Sequence, residues 1–185
     1  MKIAVCGAGK ETNKAILKKA FEIGKEIAKN KAILVTGAGL GYPLEAAKGA
    51  FLNNGEITGF SPAKDEEEHK ELYSFKTEYF TKINYTASGI PRRNFNIIEN
   101  SDAVVIIGGQ IGTLNEFSIA FVSNKIIGIL KNSGGIVEIT DKIIDICKTN
   151  NEENIIYSDE PKELISNIIK RLKSWIKINY YGPVA

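Results

Sequence analysis

The run Gly108-Gly109-Gln110-Ile111-Gly112-Thr113, continuing into Leu114-Asn115-Glu116, combines the parts from which a phosphate site is made. Glycine permits positive φ, and its missing side chain lets backbone N–H groups reach a ligand. A helix starting in such a loop adds unpaired N–H groups and the positive end of its dipole, both of which favour an anion. Glu116 stands three residues after Thr113 and has two readings. It is either a carboxylate at the edge of the site or half of a capping box. In a capping box Thr113 would cap the helix and Glu116 would accept from the Thr113 N–H. From spacing alone the capping box is the more economical, and both readings put Glu116 in the first helical turn.

Two further glycine clusters follow strand-like runs: Gly7 and Gly9 after Lys2 to Cys6, and Gly37, Gly39 and Gly41 after Ala32 to Thr36. Each cluster alone is weak, because Gly-x-Gly after a strand often marks only a tight turn. The second departs from the dinucleotide fingerprint, since Gly41 is followed by Tyr42-Pro43, and no P-loop lysine follows any of them. Together they are stronger, because loops after neighbouring parallel strands meet in one crevice at the carboxyl edge of the sheet. Arg92 and Arg93 open a predicted helix from about Pro91 to Asn100. Solvated charge is the plain reading, but a cation there opposes the helix dipole by roughly a few tenths of a kcal/mol. That leaves room for another reason, an anionic ligand or Glu116.

The elements that must position these groups alternate between short β-rich runs and helical patterns, the signature of βαβ units. Strands are expected at Lys2–Cys6, Ala32–Thr36, Ile57–Phe60, Tyr79–Ile83, Ala103–Ile107, Ile126–Leu130 and Ile155–Tyr157. Ala103–Ile107 is continuously apolar, as a central strand covered on both faces must be. Ile16, Ala20, Ile23 and Ile27 share one helical face, and Pro43 suits the first turn of the next helix. Further helices are expected from Thr113 to about Val122 and over Thr140–Lys148. A long final helix is expected to turn Leu164, Ile165, Ile168, Ile169, Leu172 and Trp175 to the core, ahead of a loose tail from Tyr180. Residues 61–77 carry Asp65-Glu66-Glu67-Glu68-His69-Lys70-Glu71 without an apolar stripe and read as a solvated loop or short exposed helix, placed where a lid would sit. The expectation is one domain over residues 1–185. Its fold class is α/β, a three-layer Rossmann-like fold with a mostly parallel sheet flanked by helices.

Composition narrows the function classes. The 185 residues are 43% hydrophobic and 25% charged, ordinary for a globular chain. No run approaches the roughly 18 to 20 apolar residues of a membrane span, and the start is too short and too soon charged for a signal peptide. A cytoplasmic protein is expected. Net charge is +2, from 24 basic and 22 acidic residues, which makes nucleic acid an unfavoured partner. Cys6 and Cys147 stand far apart and His69 is the one histidine, so no metal site and no disulfide framework are expected. Cys6 has no basic neighbour in sequence and reads as a small buried hydrophobe.

The order of motifs resembles the LOG superfamily. It runs Thr36-Gly37-Ala38-Gly39-Leu40-Gly41, Ala46-Ala47-x-Gly49-Ala50, Arg93-Asn94, Ser101-Asp102-Ala103, then Gly108-Gly109-x-x-Gly112-Thr113-x-x-Glu116, and the likeness covers roughly residues 1 to 165. That group holds cytokinin-activating phosphoribohydrolases once described as lysine decarboxylases, molybdenum cofactor carrier proteins and DprA-related proteins. The resemblance implies a Rossmann-like nucleotide site in which Arg93 and Glu116 occupy catalytic positions. Gly109, Gly112 and Thr113 match the phosphate loop, with Gly7, Gly37, Gly39, Gly41 and Gly108 in the neighbouring turns. It also implies a homodimer or larger homo-oligomer. Three departures stand out: Ile107 replaces the proline before the glycine pair, Asn94 replaces a lysine, and a methionine-histidine before the arginine is absent. They favour a binder of a nucleotide (AMP-like) or of molybdenum cofactor over a nucleoside 5′-monophosphate phosphoribohydrolase.

Overall fold

The computed structural model describes residues 1–10, 13–147 and 152–181. Seven parallel strands form one sheet in the order β4-β3-β2-β1-β5-β6-β7. The strands are β1 (Lys2–Gly7), β2 (Ile33–Thr36), β3 (Ile57–Ser61), β4 (Lys82–Tyr85), β5 (Ala103–Ile107), β6 (Ile126–Leu130) and β7 (Ile155–Ser158). The helices are α1 (Lys14–Lys29), α2 (Tyr42–Phe51), α3 (Glu66–Glu71), α4 (Gly89–Glu99), α5 (Ile111–Val122), α6 (Thr140–Cys147) and α7 (Pro161–Tyr181). This is the expected three-layer Rossmann-like arrangement.

The pleat sorts side chains between two layers. Ile3 and Val5 of β1 join the core under α1, α2 and α7, whereas Ala4 and Cys6 join the core under α4, α5 and α6. Covering both faces is what the unbroken apolar runs of β5 and β6 require, and every residue of both strands is buried. The chain moves outward from β1 to β4, then α4 carries it back over the sheet to β5 on the other side of β1. The strand order reverses at β1, and ligands of such sheets bind outside the carboxyl ends at that point.

Several expectations need correction. The fourth strand is Lys82–Tyr85 rather than Tyr79–Ile83, because Thr81 is held before the strand by its hydroxyl, which donates to Ile57 O (2.8 Å) and accepts from Ile57 N–H (2.9 Å). Trp175 does not enter the core and stays 49% exposed, while Leu164 through Leu172 are buried as expected. The charged run is no plain solvated segment, since His69 within it is wholly buried. Tyr180 and Tyr181 belong to α7, and the rest of the tail lies outside the described residues, as does Lys148. Among the described residues, no helix is long and apolar enough to cross a membrane.

Candidate functional site

Because β1 is flanked by β2 and β5, the three glycine-bearing loops share one rim. A cleft of about 500 Å³ opens there, lined by Gly7, Ala8, Gly9 and Lys10 after β1, Gly37, Gly39 and Leu40 after β2, and Gln110, Gly112 and Thr113 after β5. Arg93 and Asn94 of α4, Glu116 of α5, and Tyr73 and Phe75 from the segment after α3 complete the lining. The size suits a small-molecule ligand.

Arg93 and Glu116 line the cleft, and Cys6 lies beside them, three buried groups from three separate elements. Helix α4 begins at Gly89, so Arg93 lies in its second turn, where the dipole argument made from the sequence no longer applies. The Arg93 Nε–H has no hydrogen-bond partner, and no ion pair of the described residues includes the guanidinium. Burial lowers its pKa from the ordinary value, while the nearby Glu116 charge opposes the shift. Glu116 answers in kind. Burial raises it from 4.5 to about 7, against the pull of the Arg93 charge and of hydrogen bonding with the Cys6 thiol. The Cys6 thiol is itself pushed well up by burial and by the neighbouring Glu116, so it stays protonated. That fits the small buried hydrophobe expected, although a cation does lie close to it in space.

The start of α5 decides the capping question. Its N-cap is Gln110, in extended conformation, and the first turn holds no acidic residue. Thr113 is therefore the third helical residue, and Glu116 sits one turn further along than the capping box requires. No side chain caps this end, and Gln110 makes no cap hydrogen bond. By contrast, Asn13 closes the start of α1, its Oδ1 accepting from Ala15 and Ile16 N–H at 3.0 and 3.3 Å. The unpaired N–H groups that every helix start carries are left open toward the cleft at α5.

The glycines divide by what a side chain would meet. At Gly37 a Cβ would lie 1.5 Å from Arg93 Nη1, so this glycine makes room for the guanidinium rather than for a ligand. Gly41 has φ +71° and a Cβ there would reach Ala8 O at 2.0 Å, which locks the β1 and β2 loops together. Gly7 is pressed against Ile107 O, Gly108 against Ser133 O, and Gly109 against Thr113 Oγ1. Gly41, Gly108 and Gly109 do not line the cleft at all. Loop packing accounts for their glycine character. Gly112 has open space where its side chain would be, and Gly39 meets only the Phe75 ring.

Asn94, noted in the sequence as the neighbour of Arg93, lines the cleft, as do two residues that the sequence reading did not single out, Tyr73 and Phe75. Asn94 ties α4 to α5, its Nδ2 donating to Asn115 Oδ1 at 3.0 Å and to Gly112 O at 3.5 Å. Tyr73 and Phe75 stand within the segment read as a solvated loop or short exposed helix where a lid would sit. Asp65-x-x-Glu68 was the available signal, since Asp65 caps Glu68 N–H at 2.8 Å while Glu68 Oε2 accepts from Lys64 N–H at 2.8 Å.

The profile of the SLOG cluster4 family matches residues 1–165. The chain belongs to that family. An uncharacterized protein of Archaeoglobus fulgidus is 34% identical to this SLOG chain over 71% of its length and 80% of the archaeal protein. Among solved structures, the molybdenum cofactor carrier protein from Chlamydomonas reinhardtii superposes with a TM-score of 0.76 at 26% identity, covering 94% of this SLOG chain and 98% of that one. The molybdenum cofactor binding protein from the phototrophic bacterium Rippkaea orientalis superposes with a TM-score of 0.75 at 26% identity, covering 95% and 96%.

Proposed function

We propose that the cleft binds a nucleotide or a nucleotide-like cofactor that presents a phosphate to the start of α5. One observation carries the reading. Arg93 is buried with an unpaired Nε–H, in the same cleft as an uncapped helix N-terminus. A buried guanidinium with an unsatisfied N–H is unfavourable, and an anion bound beside it would relieve both that N–H and the open N–H groups of the helix. Lys10 adds a second positive charge to the lining. Molybdenum cofactor, the ligand of the two similar carrier and binding proteins, fits the same features, because its phosphate makes the same demand as that of AMP. Gly112 and Thr113 would hold the phosphate, with Arg93 beside it.

Calorimetry with AMP tests this. Wild-type protein is expected to bind, and Gly112→Val, at a position where a Cβ meets nothing within 4 Å, is expected to lose binding with little change in melting temperature. Undiminished affinity in that variant would show that the loop is not the site.

A second reading, phosphoribohydrolase activity, is favoured by Glu116. An acid held near pH 7 inside a closed site is suited to proton transfer. Glu116 would position a water for addition to the ribose C1′ while the base departs with a proton. Release of adenine from AMP that disappears in Glu116→Gln would support it; no release above background would remove it.

Self-association belongs to the same proposal. Ile90 and Phe95 of α4 and Ile111 and Val122 of α5 are exposed, apolar surface that a second copy could cover. Light scattering is expected to report a dimer or larger, and a monomer at working concentration would reject this.

A further inference from the structure

The cleft has two chemically different walls. One is polar and cationic, made by Lys10, Arg93 and the start of α5. The other is aromatic, made by Tyr73 and Phe75, whose ring centroids lie 5.5 Å apart with planes tilted by 32°. The Phe75 ring points its Cζ edge at Gly39, 3.4 Å from where a Cβ would stand, so it spans from the segment after α3 to the β2 loop.

That aromatic wall is anchored from below by His69. The ring is wholly buried, with Nδ1 2.8 Å from Ser61 Oγ and Nε2 3.4 Å from Lys76 O. A carbonyl can only accept, so Nε2 carries the proton and Nδ1 accepts from the Ser61 hydroxyl. Ser61 Oγ in turn accepts from Ala63 N–H at 3.1 Å. The His69 carbonyl accepts from Phe75 N–H at 3.1 Å, and the imidazole packs edge-on against Phe75 and Tyr85, with centroids 5.5 and 5.8 Å away. One residue thus fixes the backbone and the ring of Phe75 together. Beyond the contact of Phe75 with His69, both aromatic residues are half-buried at the edge of the cleft.

We infer that Phe75 and Tyr73 form a stacking wall that selects ligands carrying a planar nitrogen heterocycle, with His69 as the residue that positions it. This rests on the phosphate reading above and sharpens it. A sugar phosphate or inorganic phosphate would satisfy the polar wall and leave the rings exposed to water. A nucleotide or a pterin phosphate fills both, and stacking on an aromatic ring is tolerant of which heterocycle is offered.

The test compares AMP with ribose 5-phosphate by calorimetry in wild-type protein, Phe75→Leu, Phe75→Tyr and His69→Gln, and follows the hypochromic change of the adenine band. The wild-type protein is expected to prefer AMP. Phe75→Leu is expected to lose AMP affinity by about tenfold or more, with the hypochromic signal, while ribose 5-phosphate binding stays unchanged. Phe75→Tyr is expected to keep both. His69→Gln is expected to narrow the preference for AMP, which a general loss of stability would not do. If wild-type protein binds both ligands equally, or if Phe75→Leu weakens both alike, the stacking wall is refuted while the phosphate site stands. If the wild-type protein binds neither, the phosphate reading has failed and the stacking wall falls with it.

Discussion

Replacing Glu116 with glutamine probes the buried floor of the cleft through stability alone, without a ligand. In the unfolded chain this carboxyl releases its proton near 4.5, and in the folded protein near 7. Between those values the folded state holds a proton that the unfolded state has lost. The contribution of the neutral acid is therefore complete below 4.5 and disappears as pH rises through about 7. The interval is worth roughly 3 kcal/mol at ~1.36 kcal/mol per pH unit. Glutamine keeps the shape of the protonated acid and never ionises, so it escapes this penalty. Relative to wild type, Glu116→Gln is expected to gain roughly 2–3 kcal/mol in stability between about pH 5 and about pH 8. For a chain of this size that is a relative gain in Tm of roughly 5–10 °C. Urea denaturation of both proteins at the two pH values reads it directly. A stability difference that is the same at both pH values would refute the reasoning. Glu116 would then ionise like a solvated carboxylate, and the desolvated floor beside Arg93 would be wrong.

Gly37→Ala places a Cβ on the Arg93 guanidinium and is expected to expel it toward solvent. Nucleotide affinity should fall by about tenfold or more, and the Glu116 titration followed by NMR should move further up as its cation departs. Gly41→Ala combines a left-handed φ with a clash against Ala8 O and is expected to cost about 2 kcal/mol or more in urea denaturation. His69 has its pKa lowered by burial, so its folded state favours the neutral ring. Its contribution is full above the unfolded value near 6.5 and is lost as pH falls below it. Hydrogen exchange at the Tyr73 and Phe75 amides, which bond to Glu68 O and His69 O, is expected to lose protection on acidification and to lose none in His69→Gln.

The sheet was legible because its inner strands are written as unbroken apolar runs. Residues 103–107 and 126–130 match β5 and β6 to the residue. The edge strand β4 was misplaced, since Lys82-Ile83-Asn84-Tyr85 is half polar and its start is set by Thr81 bonding across to Ile57. The motif order pointed to loops that the fold does bring to one rim of the sheet, but not to the partners within it. That Gly37 yields to Arg93, and that Cys6 lies beside Glu116, depends on the return of α4 across the sheet, which no local pattern records. The N-cap of α5 was read three residues late, at Thr113 instead of Gln110, because Thr113 satisfies the capping signature while Gln110 takes the position without side-chain bonds. Tyr73 and Phe75 were hidden by the charges around them, and only the burial of His69 shows that their segment is held down.

A crystal structure of the protein grown with AMP decides whether this cleft is the phosphate site. The phosphate is expected within hydrogen-bonding distance of the Gly112 and Thr113 N–H groups, with the Arg93 guanidinium beside it. Saturated crystals with the phosphate bound elsewhere, or with this cleft unaltered, would contradict it.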